Sequence, residues 1–191
     1  MFKIVEFSHL LIKEYINNST LSTIKCLDAT CGMGNDTIFI AELLKDKGSV
    51  DSYDIQEIAI NTTKEKLINK NITNVNLFLK SHEFIDPSLY DLAIFNLGYL
   101  PNTDKTITTK KETTMIAIEK LVNEISNNPN LLIIICLYNG HTEGKIESDF
   151  IDHYAYNLSS KDYLVCKYLN YNRPTSPYII TISKNKNTRN N

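Results

Sequence analysis

Apolar residues along this chain fall into two patterns: short unbroken runs, and longer stretches in which they recur every three or four positions. "VEFSHLLIKEYI" sets Val5, Leu10, Leu11 and Ile12 in a helix-like stretch near the N-terminus. "TIKCLDA" follows, a run carrying Ile24, Cys26 and Leu27 that is too short for a helix and ends at Asp28 before a pair of glycines. "DTIFIAELLKDKG" has apolar residues at 38, 39, 40, 43 and 44, with Gly48 placed as a helix stop. "SVDSYD" predicts a second strand and "QEIAINTTKEKLINKN" a second helix. "NVNLFLK" alternates like a strand and "DLAIF" is another. "ETTMIAIEKLVNEI" makes a helix with Met115, Ile118, Val122 and Ile125 on one face. "LLIIICLY" is the most apolar stretch and predicts a central strand buried on both faces. A helix through "SDFIDHYAYNL" precedes two last strands, "YLVCKYLNY" and "YIITISK". They are joined by "NRPTSP", where Pro174 and Pro177 exclude both helix and ladder.

Strands and helices alternate for most of the length, which calls for a parallel sheet covered on both faces. The last two strands have no helix between them, so one must run antiparallel. No linker or internal repeat divides the chain. The expectation is one α/β domain over residues 1–184 with a polar tail at 185–191.

Composition alters this picture little. The 191 residues are 42% hydrophobic and 22% charged, ordinary for a globular chain long enough to bury a core. The net charge of −2 does not announce a nucleic-acid binder. Its distribution is uneven: residues 1–100 carry 9 Lys and Arg against 13 Asp and Glu, and residues 101–191 carry 11 against 9. The second half is thus the side for an anionic partner. Cys26, Cys31, Cys136 and Cys166 form no C-x-x-C pair, and three of them sit in apolar runs as small hydrophobes. No apolar run reaches membrane-span length and no signal peptide is evident, so a reduced, cytoplasmic, soluble protein is expected. No His/Cys cluster has metal-ligand spacing.

Ligands of such sheets lie beyond the carboxyl ends of the strands. The first loop there is "DATCGMGNDT", where Gly32 and Gly34 permit close backbone approach and a helix N-terminus follows. A dinucleotide fold would want glycine at 37, which is Thr37, and Asp28 and Asp36 would repel a pyrophosphate. A ligand bearing an ammonium and a sulfonium, S-adenosylmethionine, would instead favour these carboxylates. Asp54, 20 positions after Gly34, is placed to take ribose hydroxyls. The plainer reading is a strand-to-helix turn capped by Asn35 or Asp36.

"DATCGMGNDT", "DIQ", "FNLGYLP", "KTITTKKETT" and "YNGHTEGK" occur in this order and spacing. Together they resemble the class I, Rossmann-like methyltransferase family once labelled rRNA methylases, which includes the MnmM-type tRNA 5-aminomethyl-2-thiouridine methyltransferases. The likeness runs from about residue 5 to residue 183. The first two motifs belong to class I methyltransferases generally; "NLGYLP" with "ITTK…ETT" is particular to this family. It implies a seven-stranded sheet with a C-terminal antiparallel hairpin strand, and transfer of a methyl group from S-adenosylmethionine to a wobble-uridine amine in the anticodon region of tRNA, by a homodimer. For the cofactor it implies the loop residues Asp28, Thr30, Gly32, Gly34, Asn35, Asp36 and Thr37, then Asp54 and Gln56. Ser81 and His82 would meet the adenine, and Asn96, Leu97 and Gly98 would lie beside the methyl group.

The motif "FNLGYLP" is then the catalytic loop. The Asn96 oxygen and the Leu97 carbonyl can hold the N–H groups of an amine so that its lone pair points at the methyl carbon. Gly98 permits a tight turn, Tyr99 can wall or stack on the base, and Pro101 stiffens the exit. Alkyl amines are mostly protonated at neutral pH, so the site must favour the neutral form or remove a proton, a task open to His141. Asn96, Tyr99 and His141 are the expected catalytic set. Lys105, Thr108, Thr109 and Lys110, with Lys111 beside them, offer phosphate donors, although Thr109 with Glu112 also matches a capping box. Tyr138 should open onto the cleft, and Arg173 is a candidate for RNA or for a dimer contact; His9 carries no assigned role. Two other readings compete: an amino-directed methyltransferase acting on adenine of rRNA or DNA, and a cofactor-binding partner subunit without catalysis.

Overall fold

The structure is a computed structural model that describes residues 3–98, 109–140, 142–173 and 175–186. Its elements in chain order are α1 (Ile4–Asn18), β1 (Ile24–Asp28), α2 (Asn35–Leu44), β2 (Gly48–Asp54), α3 (Glu57–Asn69), β3 (Val75–Leu79), β4 (Leu92–Asn96), α4 (Lys111–Glu124), β5 (Leu132–Leu137), α5 (Thr142–Tyr156), β6 (Tyr163–Tyr168) and β7 (Tyr178–Lys184). The seven strands form one sheet in the order β3-β2-β1-β4-β5-β7-β6. β1 pairs parallel with β2 and β4, and β5 with β4. β7 inserts between β5 and β6 and is antiparallel to both. This agrees with the expected α/β architecture, down to the antiparallel pair that the missing crossover helix required.

Each central strand is buried on both faces because two helical layers need partners. Cys26, Val50, Leu92, Ile94 and Ile134 pack with Ile12, Ile16, Ile40 and Leu44 of α1 and α2. Leu27, Ala93, Phe95, Ile133 and Ile135 pack with Met115, Ile118, Leu121 and Ile151 of α4 and α5. β3 and β6 lie at the sheet edges and are only partly covered. The strand order reverses direction at β1, between β2 and β4, which opens a crevice at the carboxyl ends of β1 and β4.

Three boundaries differ from the sequence expectation. Gly48 does not stop α2: the helix ends at Leu44, Lys45 takes a positive φ of 49°, and Gly48 begins β2. A side chain there would meet the Ile24 carbonyl oxygen at 1.9 Å, so glycine is needed for close strand approach. Helix α5 begins at Thr142, six residues before "SDF", and absorbs most of "HTEGK". Finally, the capping box of Thr109 and Glu112 is not formed, because Lys110 is the N-cap of α4 and makes no side-chain cap bond.

Candidate active site

The crevice is a cleft of about 790 Å³, a size suited to a nucleoside-sized ligand, floored by the loops after β1, β2, β3, β4 and β5. Its first wall is built around Asp54. The carboxylate closes β2 by accepting from the Gln56 N–H (2.9 Å), and its other oxygen accepts from the Gly32 N–H (2.8 Å). The glycine loop is thereby tied to the strand beside it, with Gly32 at φ 52°. Each carboxylate oxygen keeps lone-pair capacity for a ligand hydroxyl. Thr30, Asn35, Gln56, Ser81 and the exposed Ile55 line the same side.

His82 sets the far end. Its Nδ1 lies 2.9 Å from the Ala29 carbonyl, which only accepts, so Nδ1 carries the proton and Nε2 is a bare acceptor. Nε2 is buried without a hydrogen-bond partner in a residue that lines the cleft. Burial holds the imidazole pKa below its ordinary value and keeps the ring neutral. An orphaned acceptor costs about 1–3 kcal/mol unless a donor meets it, and an exocyclic adenine amine is such a donor. The residues present therefore fit an adenosine: hydroxyl acceptors at Asp54, an amine acceptor at His82.

Three residues expected to touch the cofactor stand behind this wall. Asp28 is buried, accepts from the Thr37 hydroxyl (2.6 Å) and the Thr30 N–H (3.2 Å), and does not line the cleft. Burial, reinforced by Asp36, pushes its carboxyl up to about 7, which suits a strut rather than a counter-charge for a cation. Thr37 is fully buried and bridges Asp28 to the Ser52 hydroxyl (2.7 Å). Gly34 is the left-handed N-cap of α2, and a Cβ there would lie 2.5 Å from the Thr63 hydroxyl. These three shape the loop and do not line the cleft.

The second wall carries Asn96, the last residue of β4. Its backbone N–H donates to the Thr30 hydroxyl (2.7 Å), and its Nδ2 donates to Asp36 (2.5 Å). Asp36 caps nothing; its other oxygen lies 2.6 Å from His9 Nε2, and it lines the cleft with Asn96. A carboxylate only accepts, so Asn96 must turn its nitrogen toward Asp36 and its oxygen the other way. The Tyr138 hydroxyl approaches that oxygen at 3.4 Å, and burial together with Cys136 and Asp36 raises the phenol pKa well above its usual value, so it stays a donor. Leu97 and Gly98 continue the wall. Gly98, at φ 145°, gives its N–H to the Thr109 hydroxyl (3.0 Å) and its carbonyl to the Thr109 N–H (3.0 Å).

Thr109 in turn donates to Glu147 (2.6 Å), whose second oxygen accepts from Thr114 (2.8 Å). The Thr109 hydroxyl is therefore spent on linking Gly98 to Glu147, not held out to a phosphate. Lys110 lines the cleft mouth, whereas Arg173 does not line the cleft. Tyr99, Lys105, Thr108 and His141 lie outside the described residues, as does Pro101. Among the described residues no group of three His, Cys, Asp or Glu is placed to hold a metal ion, and no helix is long and apolar enough to cross a membrane.

Sequence reading missed Glu147 and His9. Glu147 lies on the stripe that α5 buries, with Gly144, Ser148, Ile151 and Ala155, and a charge on an apolar stripe is a readable signal once the helix start is known. His9 follows the buried Ser8 on α1, and nothing local to it announces its partner 27 residues away.

A nucleoside-binding cleft at the switch point of a 3-2-1-4-5-7-6 sheet is the architecture of a class I methyltransferase. Residues 50–184 match the family described as "Putative rRNA methylase", and the chain belongs to it. It is 30% identical, over 97% of its length and 70% of the relative's, to "tRNA (mnm(5)s(2)U34)-methyltransferase, chloroplastic" of Arabidopsis thaliana. Among solved structures it resembles a "putative rRNA-methylase" from Clostridium thermocellum (30% identity, 97% and 99% of the two chains, TM-score 0.84). It also resembles a "putative methyltransferase" from Streptococcus mutans in complex with SAH (30% identity, 97% and 99%, TM-score 0.79).

Proposed function

We propose that this protein is an S-adenosylmethionine-dependent tRNA methyltransferase that converts the amine of 5-aminomethyl-2-thiouridine at the wobble position to its methylamine. The family and the Arabidopsis relative support the substrate class, and the orientation of Asn96 supports an amine. When bound, the cofactor supplies an electrophilic methyl group on a sulfonium. Asp54 and His82 hold the nucleoside end of the cleft. Asn96 presents its side-chain oxygen to the amine, and the Leu97 carbonyl would accept a second N–H. The amine lone pair is then aimed along the line of transfer, a positioning effect of several kcal/mol. The burial of this wall favours the uncharged amine, which alone has a lone pair to donate.

Further parts of the reading concern the partner surfaces. Lys110 and Lys111, with Lys105 and Thr108, would meet tRNA phosphates near the cleft mouth. Tyr99 would wall the base, and His141 would take part in proton removal. Arg173 would serve RNA or a second subunit, since a domain of this size gains RNA-contact surface by pairing as a homodimer. A cytoplasmic site of action is our reading for this chain, although the Arabidopsis relative is chloroplastic.

The test is methylation of purified tRNA bearing 5-aminomethyl-2-thiouridine, read by nucleoside mass spectrometry. We expect one methyl on that nucleoside, requiring S-adenosylmethionine, and none on tRNA with an unmodified wobble uridine. A methyl found on adenine, or no transfer to the aminomethyl nucleoside, would reject the proposal.

A further inference from the structure

We infer that His9, on the N-terminal helix, is a positioning residue for methyl transfer: through Asp36 it fixes the Asn96 amide with its oxygen toward the acceptor amine. The inference rests on the methyltransferase reading for its kinetic arm only. His9 Nε2 meets one Asp36 oxygen at 2.6 Å, and Asn96 Nδ2 meets the other at 2.5 Å. The imidazole is held in place by stacking on Phe39, with centroids 3.8 Å apart and planes 7° apart. Both oxygens of the carboxylate are thus occupied and its plane is set. The two side chains are only partly solvent-covered, 25% exposed for His9 and 13% for Asp36, so water replaces a lost partner poorly.

The need for such a device follows from the amide itself. An Asn side chain rotated by half a turn occupies the same volume but offers N–H donors where an acceptor was. At Asn96 that rotation would present two protons to the amine lone pair and abolish productive alignment. Asp36 excludes it, because a carboxylate has no donor to offer the flipped oxygen. Asp36 can do this only while its own rotation is blocked, and His9 blocks it.

Three substitutions separate this role from packing. His9→Phe keeps a ring to stack on Phe39 but has no donor. His9→Gln keeps a donor within reach of Asp36 but no ring. His9→Ala has neither. We expect His9→Phe and His9→Ala to lower the single-turnover rate at saturating tRNA and cofactor by about 10-fold or more, with S-adenosylhomocysteine affinity within about 3-fold of the parent. His9→Gln should restore the rate to within about 3-fold. A His9→Phe protein at the parental rate, or a His9→Gln protein as slow as His9→Ala, would overturn the inference. A second measurement does not need turnover: the Asn96 side-chain amide protons, followed by 15N NMR, should exchange at least about 10-fold faster in His9→Phe than in the parent. Unchanged exchange would equally overturn it. If the parent protein fails to methylate tRNA, the proposed function falls, and the amide exchange still decides the role of His9.

Discussion

The two walls of the cleft are held by different kinds of contact. On the nucleoside side, Asp54 bonds a residue two positions away, Asp28 likewise, and the Gly32–Asp54 bond joins the ends of adjacent strands. On the methyl-accepting side, Asn96 and Asp36 are 60 residues apart, Tyr138 and Asn96 42, and Thr109 and Glu147 38. Apart from His82, which follows β3 and reaches the Ala29 carbonyl 53 positions away, the first wall needs only β1, β2 and the turn between β1 and α2. The second exists only once α1, α2, β4, α4 and α5 have all docked. Binding and chemistry should therefore separate under mutation: local changes on the first wall reach affinity, and changes on the second reach rate.

Asn96→Ala tests this division with the largest expected effect. Truncation removes the acceptor and both of its side-chain bonds, yet leaves Asp54 and His82 in place. The methyl-transfer rate should fall by about 100-fold or more while cofactor affinity changes little. Single-turnover measurements beside calorimetry read both quantities. A folded Asn96→Ala protein at near-normal rate would erase the distinction between the walls.

Asp54→Ala should show the opposite pattern. Its carboxylate would accept from ribose hydroxyls, and hydrogen bonds to a charged group contribute roughly 1.5–3 kcal/mol, or about 10- to 150-fold in affinity. The variant also releases the Gly32 and Gln56 amides, so the loop loses its tether. At saturating cofactor the transfer rate should recover most of its value. Unchanged affinity would remove Asp54 from the site.

This contrast also explains what was legible in the sequence. The fold could be read because each strand and helix declares itself through local periodicity, and the antiparallel end could be read from a missing crossover. Asp54, Gln56 and Gly32 were legible because the nucleoside wall is made from contiguous motifs. Asp28 and Thr37 belong to the same motif and yet point into the protein. Motif membership does not reveal which carboxylate faces the ligand, because that depends on the register of β1 against β2 and on the burial of Ser52. Thr109 looked like a cap or a phosphate donor because its partner, Glu147, lay inside a helix whose start was placed six residues too late. His9 could not be found at all: its function is a distance to Asp36, which exists only in the packed structure.

The smallest predicted effect lies on the nucleoside wall and is a matter of pH. His82 offers Nε2 as an acceptor only while neutral, and burial keeps its folded-state pKa below the usual value near 6.5. The unfolded chain therefore takes up this proton first as pH falls. Stability contributed by neutral His82 is full above about 6.5 and is lost as pH drops through the lower folded value. Protonation also turns Nε2 into a donor facing an adenine amine that is itself a donor, so cofactor affinity should weaken over the same range. His82→Leu removes one hydrogen bond and should lower affinity at pH 7.5 by about 3- to 10-fold. Asp28, raised to about 7 by burial, will give both proteins a shared pH slope, so the informative quantity is the difference between them. That difference should shrink as pH falls, because acid deprives the parent of the acceptor that the variant already lacks. Calorimetric titrations from pH 7.5 down through the folded-state pKa of His82, located by NMR titration of its ring, would read it, and a constant ratio across that titration would mean that His82 Nε2 does not meet the cofactor.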